Sequence, residues 1–127
     1  MNGARAGFSN TGTYLSLAAP GENVFAAESA ESAWPRAQTP WLSPGYYGWA
    51  SGTSFAAPEV AGAAALVWGA NPSLTAGQVA QVLKQSASGS GWSPELGWGR
   101  LDAAAAVQLA QATPGAALRR ARAASPR

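Results

Sequence analysis

Ser51-Gly52-Thr53-Ser54-Phe55-Ala56-Ala57-Pro58-Glu59-Val60-Ala61-Gly62 is the stretch that decides the reading. From Ser54 to Gly69 nearly every residue is small or apolar, with alanines at 61, 63, 64 and 65 and a glycine at 62. That run predicts a helix that is apolar on all faces and therefore interior. Gly69-Ala70-Asn71-Pro72 is its stop signal. Pro58 has no N–H, so the Ser54 carbonyl receives no helical bond from it, a defect tolerated near a helix start. A hydroxyl thus follows a Gly-Thr pair at the mouth of a helix. Helix N-termini present unpaired N–H groups and the positive end of a dipole. Such donors suit an oxyanion on a carbonyl under attack by Ser54 Oγ, and Gly52 leaves room for a substrate backbone. On these residues alone the commoner role of Ser54 is a helix cap, because Ser is a favoured N-cap. The alternative serine motif G-x-S-x-G is not met, since Ala56 stands two residues after Ser54. No phosphate-binding or dinucleotide-binding fingerprint occurs either.

Downstream, Thr75 and Gln78 make a T-x-x-Q capping box with Leu74 and Val79 at the staple positions. Val79, Val82 and Leu83 continue one apolar stripe, and this helix should fade over Ser86 to Gly91. Asp102 is placed to cap a third helix, Ala103 to Ala112, in which Val107 and Leu109 are the larger apolar residues. Upstream, Thr13 to Ala18 and Val24-Phe25-Ala26 read as two strands around the Pro20-Gly21 turn. Residues 28–45 hold Pro35, Pro40 and Pro44 and read as a loop. Tyr46 to Ala50 reads as a short extended segment. Residues 113–127 form a basic, low-complexity tail expected to be disordered.

The 127 residues are 47% hydrophobic and 11% charged, a balance that supports a modest core and argues against a disordered chain. Four of the eight cations, Arg119, Arg120, Arg122 and Arg127, lie in the last ten residues. The body keeps four cations against six acids, so the basic pI belongs to the tail, and a nucleic-acid partner is not indicated. Cysteine is absent, which removes disulfides and thiolate metal sites. Histidine is absent too, and with it any imidazole base. No signal peptide follows Met1, and Val60 to Trp68, the longest apolar run, is too short for a membrane span.

The run G-T-S-F-A-A-P-E-V-A-G-A-A-A-L closely resembles the nucleophile motif of subtilisin-like (subtilase, peptidase S8) serine proteases. Three further markers stand in the family's order. Phe8-Ser9-Asn10 followed by Leu17-Ala18-Ala19-Pro20-Gly21 resembles the strand and turn upstream of the nucleophile. Asn71-Pro72-Ser73-Leu74-Thr75 resembles the link to the next helix. Gly97-Trp98-Gly99-Arg100-Leu101-Asp102-Ala103-Ala104 resembles the closing signature. The likeness covers about residues 2–112. It implies an α/β fold, with residues 1–112 as the C-terminal portion of a three-layer sandwich built on a mostly parallel sheet.

The resemblance further implies a serine endopeptidase with Ser54 as nucleophile and the Ser54 backbone N–H as an oxyanion donor. Gly52, Thr53 and Pro58 support the motif. It implies peptide or protein substrates, if the domain is complete, and a secreted location; it implies no cofactor. Calcium occurs in the family, but no site is identifiable here, because Glu22, Glu28 and Glu31 fit no ligand spacing. Phe55 stands where Met is usual and Glu59 where many members have His. The family's Asp, His and oxyanion Asn precede the part that this sequence resembles. Without a general base Ser54 is weakly nucleophilic, so the chain alone is expected to be inactive. The competing reading is a non-catalytic remnant acting as a binding or structural module; a frame continuing upstream with an Asp and a His segment would separate the two. Trp34, Trp41 and Trp49 read as loop packing or as substrate contacts, the former being favoured. Trp92 and Trp98 should pin the loop between them.

Overall fold

A computed structural model describes residues 3–27 and 47–114. Its elements run β1 (Val24–Ala27), β2 (Tyr47–Ala50), α1 (Thr53–Ala70), α2 (Ala76–Ser86) and α3 (Ala103–Ala112). The expected Pro-rich loop and most of the basic tail lie outside the described residues.

The three helices pack on one another, and their meeting point is the core. Ala63 and Val67 come from α1, Val79, Val82 and Leu83 from α2, and Ala106 and Ala110 from α3, with Leu74 beneath them. Val67 and Val82 are its largest fully buried side chains. On α3 the sequence singled out Val107 and Leu109, yet both are only half-buried while Ala106 and Ala110 are sealed. On α3 the fully buried core positions are alanines, and the larger buried side chains come from α1, α2 and the turn between them.

Local signals account for the helix starts. Thr75 Oγ1 accepts from Gln78 N, and Gln78 Oε1 accepts from Thr75 N, so the capping box is complete. Leu74 and Val79 are both buried, as a hydrophobic staple requires. Asp102 Oδ1 accepts from Ala105 N at 2.9 Å and caps α3. Two side-chain ties brace the helical turn between α1 and α2. Trp68 Nε1 donates to Leu74 O at 2.6 Å, and Asn71 Nδ2 donates to Ala110 O and Thr113 O at the end of α3.

The first expected strand departs from its pattern. Residues 13–18 form no strand; only Ala18 pairs, in a parallel bridge with Arg100. Ser16 O accepts from Trp98 N, Ala18 N donates to Gly99 O, and Leu101 N donates to Ala18 O. This short parallel contact joins the Leu17-Ala18-Ala19 segment to the closing segment some eighty residues later. It depends on Gly97, whose φ is 62° and where a Cβ would lie 2.4 Å from the Ser16 carbonyl carbon. The sheet among the described residues is the antiparallel pair β1–β2, with Phe25 opposite Trp49 and Ala26 opposite Gly48.

The expectation that α1 is apolar on every face and interior is only half realised. Leu66 remains 59% exposed and Trp68 43% exposed, and Ala61, Gly62, Ala65 and Gly69 also face outward. The helix is apolar all round, but among the described residues only Ala63 and Val67 are fully buried, with Val60, Ala64 and Ala70 packed beside them.

Candidate active site

Ser54 is exposed in the first turn of α1. The N-cap is Gly52, and no side chain caps this helix. The capping role open to Ser54 from sequence is therefore not the one it takes. Its backbone N–H belongs to the first turn, where helix geometry supplies no acceptor. Phe55 N, one residue on, turns back to Gly52 O at 3.0 Å. Pro58 lies inside the helix, as expected, so the Ser54 carbonyl also lacks its helical donor.

The approach to Ser54 is held by its backbone. Gly52 N donates to Gly21 O at 2.7 Å, which locks the Pro20-Gly21 turn to the helix entrance. That contact needs glycine, because a Cβ on Gly21 would lie 2.9 Å from Gly52 O. A Cβ on Gly52 would sit 3.3 Å from Ser54 Oγ, so the missing side chain keeps the hydroxyl unobstructed. Ser51 Oγ accepts from Asn23 N at 2.9 Å. Asn23 has φ 53°, a left-handed conformation that Asn tolerates better than most residues. Sequence reading passed over both Asn23 and Ser51; an Asn directly after Pro-Gly-Glu was the available signal, as a residue suited to the left-handed turn.

Thr53 opens α1 and is exposed. It lines an apolar cleft of about 230 Å³ together with Phe8, Leu17, Ala56, Ala57 and Val60. The cleft thus brings the Phe8-Ser9 marker and the Leu17 segment against the first two turns of α1. Glu59 is half-exposed one turn further on. Glu22 is exposed, and the carboxylates at 28 and 31 lie outside the described residues. Among the described residues no three His, Cys, Asp or Glu side chains gather as a metal site would require. No described helix is long and apolar enough to cross a membrane.

Ser54 is thus an exposed hydroxyl in the first turn of a helix that no side chain caps, inside an α/β scaffold. The model of the subtilase family matches residues 1–99, and the chain belongs to that family. It is 36% identical over 104 residues to a probable subtilase-type serine protease of Deinococcus radiodurans, covering 79% of this chain and 14% of that protein. Subtilisin Savinase of Lederbergia lenta is 38% identical over 108 residues, with 85% of this chain and 35% of the relative covered. Among solved structures, one of proteases from Pseudoalteromonas arctica superposes with a TM-score of 0.69 at 36% identity, over 86% of this chain and 33% of that one. The chain therefore spans about a third or less of the length of these relatives.

Proposed function

We propose that the chain carries the nucleophile of a subtilisin-like serine endopeptidase, and that Ser54 is that nucleophile. The observation that carries the reading is the exposed Ser54 hydroxyl in the first turn of an uncapped helix, within the segment matched to the subtilase family. In the proposed reaction Ser54 Oγ attacks the scissile carbonyl carbon and gives its proton to a general base. The carbonyl oxygen becomes an oxyanion facing the Ser54 N–H. Collapse breaks the C–N bond, the amine leaves with a proton, and water hydrolyses the acyl ester to restore the hydroxyl. This chemistry draws on hydroxyl, base and N–H donors and uses no cofactor. The sequence holds no histidine, so the base comes from residues outside these 127. On this proposal the 127 residues by themselves hydrolyse peptides immeasurably slowly, since loss of triad members costs about 10⁴-fold or more in rate. Secretion belongs to the same proposal, as does a polypeptide substrate.

The test is covalent. The protein isolated from its native cell is treated with a fluorophosphonate reagent, and the adduct is located by peptide mass. A single adduct on Ser54, absent in Ser54→Ala, supports the nucleophile. Normal folding with no adduct on Ser54 overturns it. The absence of histidine favours one second reading, a non-catalytic module that keeps the family's architecture. That reading requires Ser54 to stay unlabelled in the native protein.

A further inference from the structure

The antiparallel β1–β2 pair turns its largest side chains outward. Its inward positions carry Val24 and Ala26, half-buried, and Gly48 and Ala50, buried. Its outward positions carry Phe25, Tyr47 and Trp49, exposed at 49%, 59% and 45%. Strand alternation and the register place the three rings on one face. They touch one another: Phe25 and Tyr47 stack at 5.8 Å between centroids, and Phe25 and Trp49 meet at 5.0 Å with a 48° tilt. Large aromatics ordinarily bury their area, and single exposed ones need no account. Three in contact form a patch on the order of 300 Å², a size that on a monomer is often functional.

We infer that this aromatic face is a docking surface for an apolar, extended segment of the polypeptide that Ser54 acts on, an inference that rests on the Ser54 reading above. Continuity with the site is the first argument. Trp49 precedes Ser54 by five residues, which limits their Cα separation to about 18 Å. An extended substrate covers that distance in roughly five residues. The junction is also fixed, since Gly52 N binds Gly21 O and Ser51 Oγ binds Asn23 N. The face therefore holds a set position relative to the hydroxyl. Charge is the second argument. Neither β1 nor β2 carries a Lys, Arg, Asp or Glu, so the face selects apolar side chains and repels none by sign. A membrane surface is the other apolar occupant, but surface-seeking faces carry Lys and Arg beside their aromatics, and neither strand has one.

The experiment is equilibrium binding to the protein carrying Ser54→Ala, which cannot consume its ligand. Fluorescence anisotropy is measured with a labelled unstructured peptide holding two Phe residues, and with its Ser-for-Phe counterpart. The expected result is at least about tenfold tighter binding of the Phe peptide, with the preference lost in Trp49→Ala and in Tyr47→Ser. Unchanged thermal melting of both variants keeps a loss of fold apart from a loss of contact. Equal affinity for the two peptides, or a preference that survives both substitutions, overturns the inference. Binding of zwitterionic lipid vesicles that depends on Trp49, with no peptide preference, overturns it in favour of a membrane. Adduct formation at Ser54 in the unsubstituted protein reports separately on the nucleophile.

Discussion

Ser54 sits inside the first turn of α1, not at its cap, because Gly52, two residues before it, takes the cap position. The cost is a helix without a side-chain cap; on the proposed reading the gain is an exposed hydroxyl and a first-turn N–H on the same residue. Gly21 is what holds this arrangement. In Gly21→Ala the new methyl meets Gly52 O at 2.9 Å. We expect about 1–3 kcal/mol of destabilisation, read by denaturant melting, together with slower fluorophosphonate labelling as the Gly52–Ser54 turn shifts. An unaltered melt with unaltered labelling would show that the Gly21–Gly52 contact does not position the site. The Ser54 motif itself was legible in sequence because its demands are local: a small residue before the hydroxyl and a proline four residues after it. Asn23 and Ser51 were not legible as partners, since 28 residues separate them and only the turn brings them together.

At the scale of elements, the helix ends were the most readable features. The Thr75–Gln78 box and the Asp102 cap each join residues three apart, so sequence spacing is already spatial proximity. Thr75→Ala should cost about 1 kcal/mol, and Asp102→Ala a similar amount, measured by urea unfolding. The α1–α3 and α2–α3 contacts follow a different logic. Ala106 is fully buried, so Ala106→Leu should overpack the core by about 1–3 kcal/mol, whereas Ala104→Leu on the exposed side of α3 should change stability by under about 0.5 kcal/mol. Equal effects of the two would show that α3 does not seat against α1 and α2 as described. Sequence marked Val107 and Leu109, both half-buried, as the larger apolar residues of α3, because size and hydropathy are visible in letters. Which positions of α3 the fold seals, Ala106 and Ala110, is not.

At the scale of the whole chain, α1 is the dominant fact. Its composition is that of a helix covered on all sides, and its Leu66 face is bare among the described residues. An exposed apolar helix face of this kind promotes association and loose packing. The 127-residue chain in isolation is therefore expected to bind a hydrophobic dye and to unfold over a broad range. A sharp, cooperative melt of a monomer, with matching calorimetric and van't Hoff enthalpies, would contradict that. The same scale explains why the parallel pairing was hard to foresee. Ala18 meets Arg100 across more than eighty residues, and one bridge carries no periodic signature of its own.

Sequence alone determined the helices, the caps of α2 and α3, the motif around Ser54 and the family, because each of these is written in neighbouring residues or in ordered short motifs. It also determined that no histidine in the chain can act as a base. Tertiary structure alone decided three things. It made Gly52 the cap and left Ser54 exposed, it sealed Ala106 and Ala110 of α3 more fully than the larger Val107 and Leu109, and it turned Phe25, Tyr47 and Trp49 outward together. The physical reason is common to all three. How far two backbones approach, and which face of an element meets another, are set by contacts between residues distant in sequence, and no local pattern encodes them.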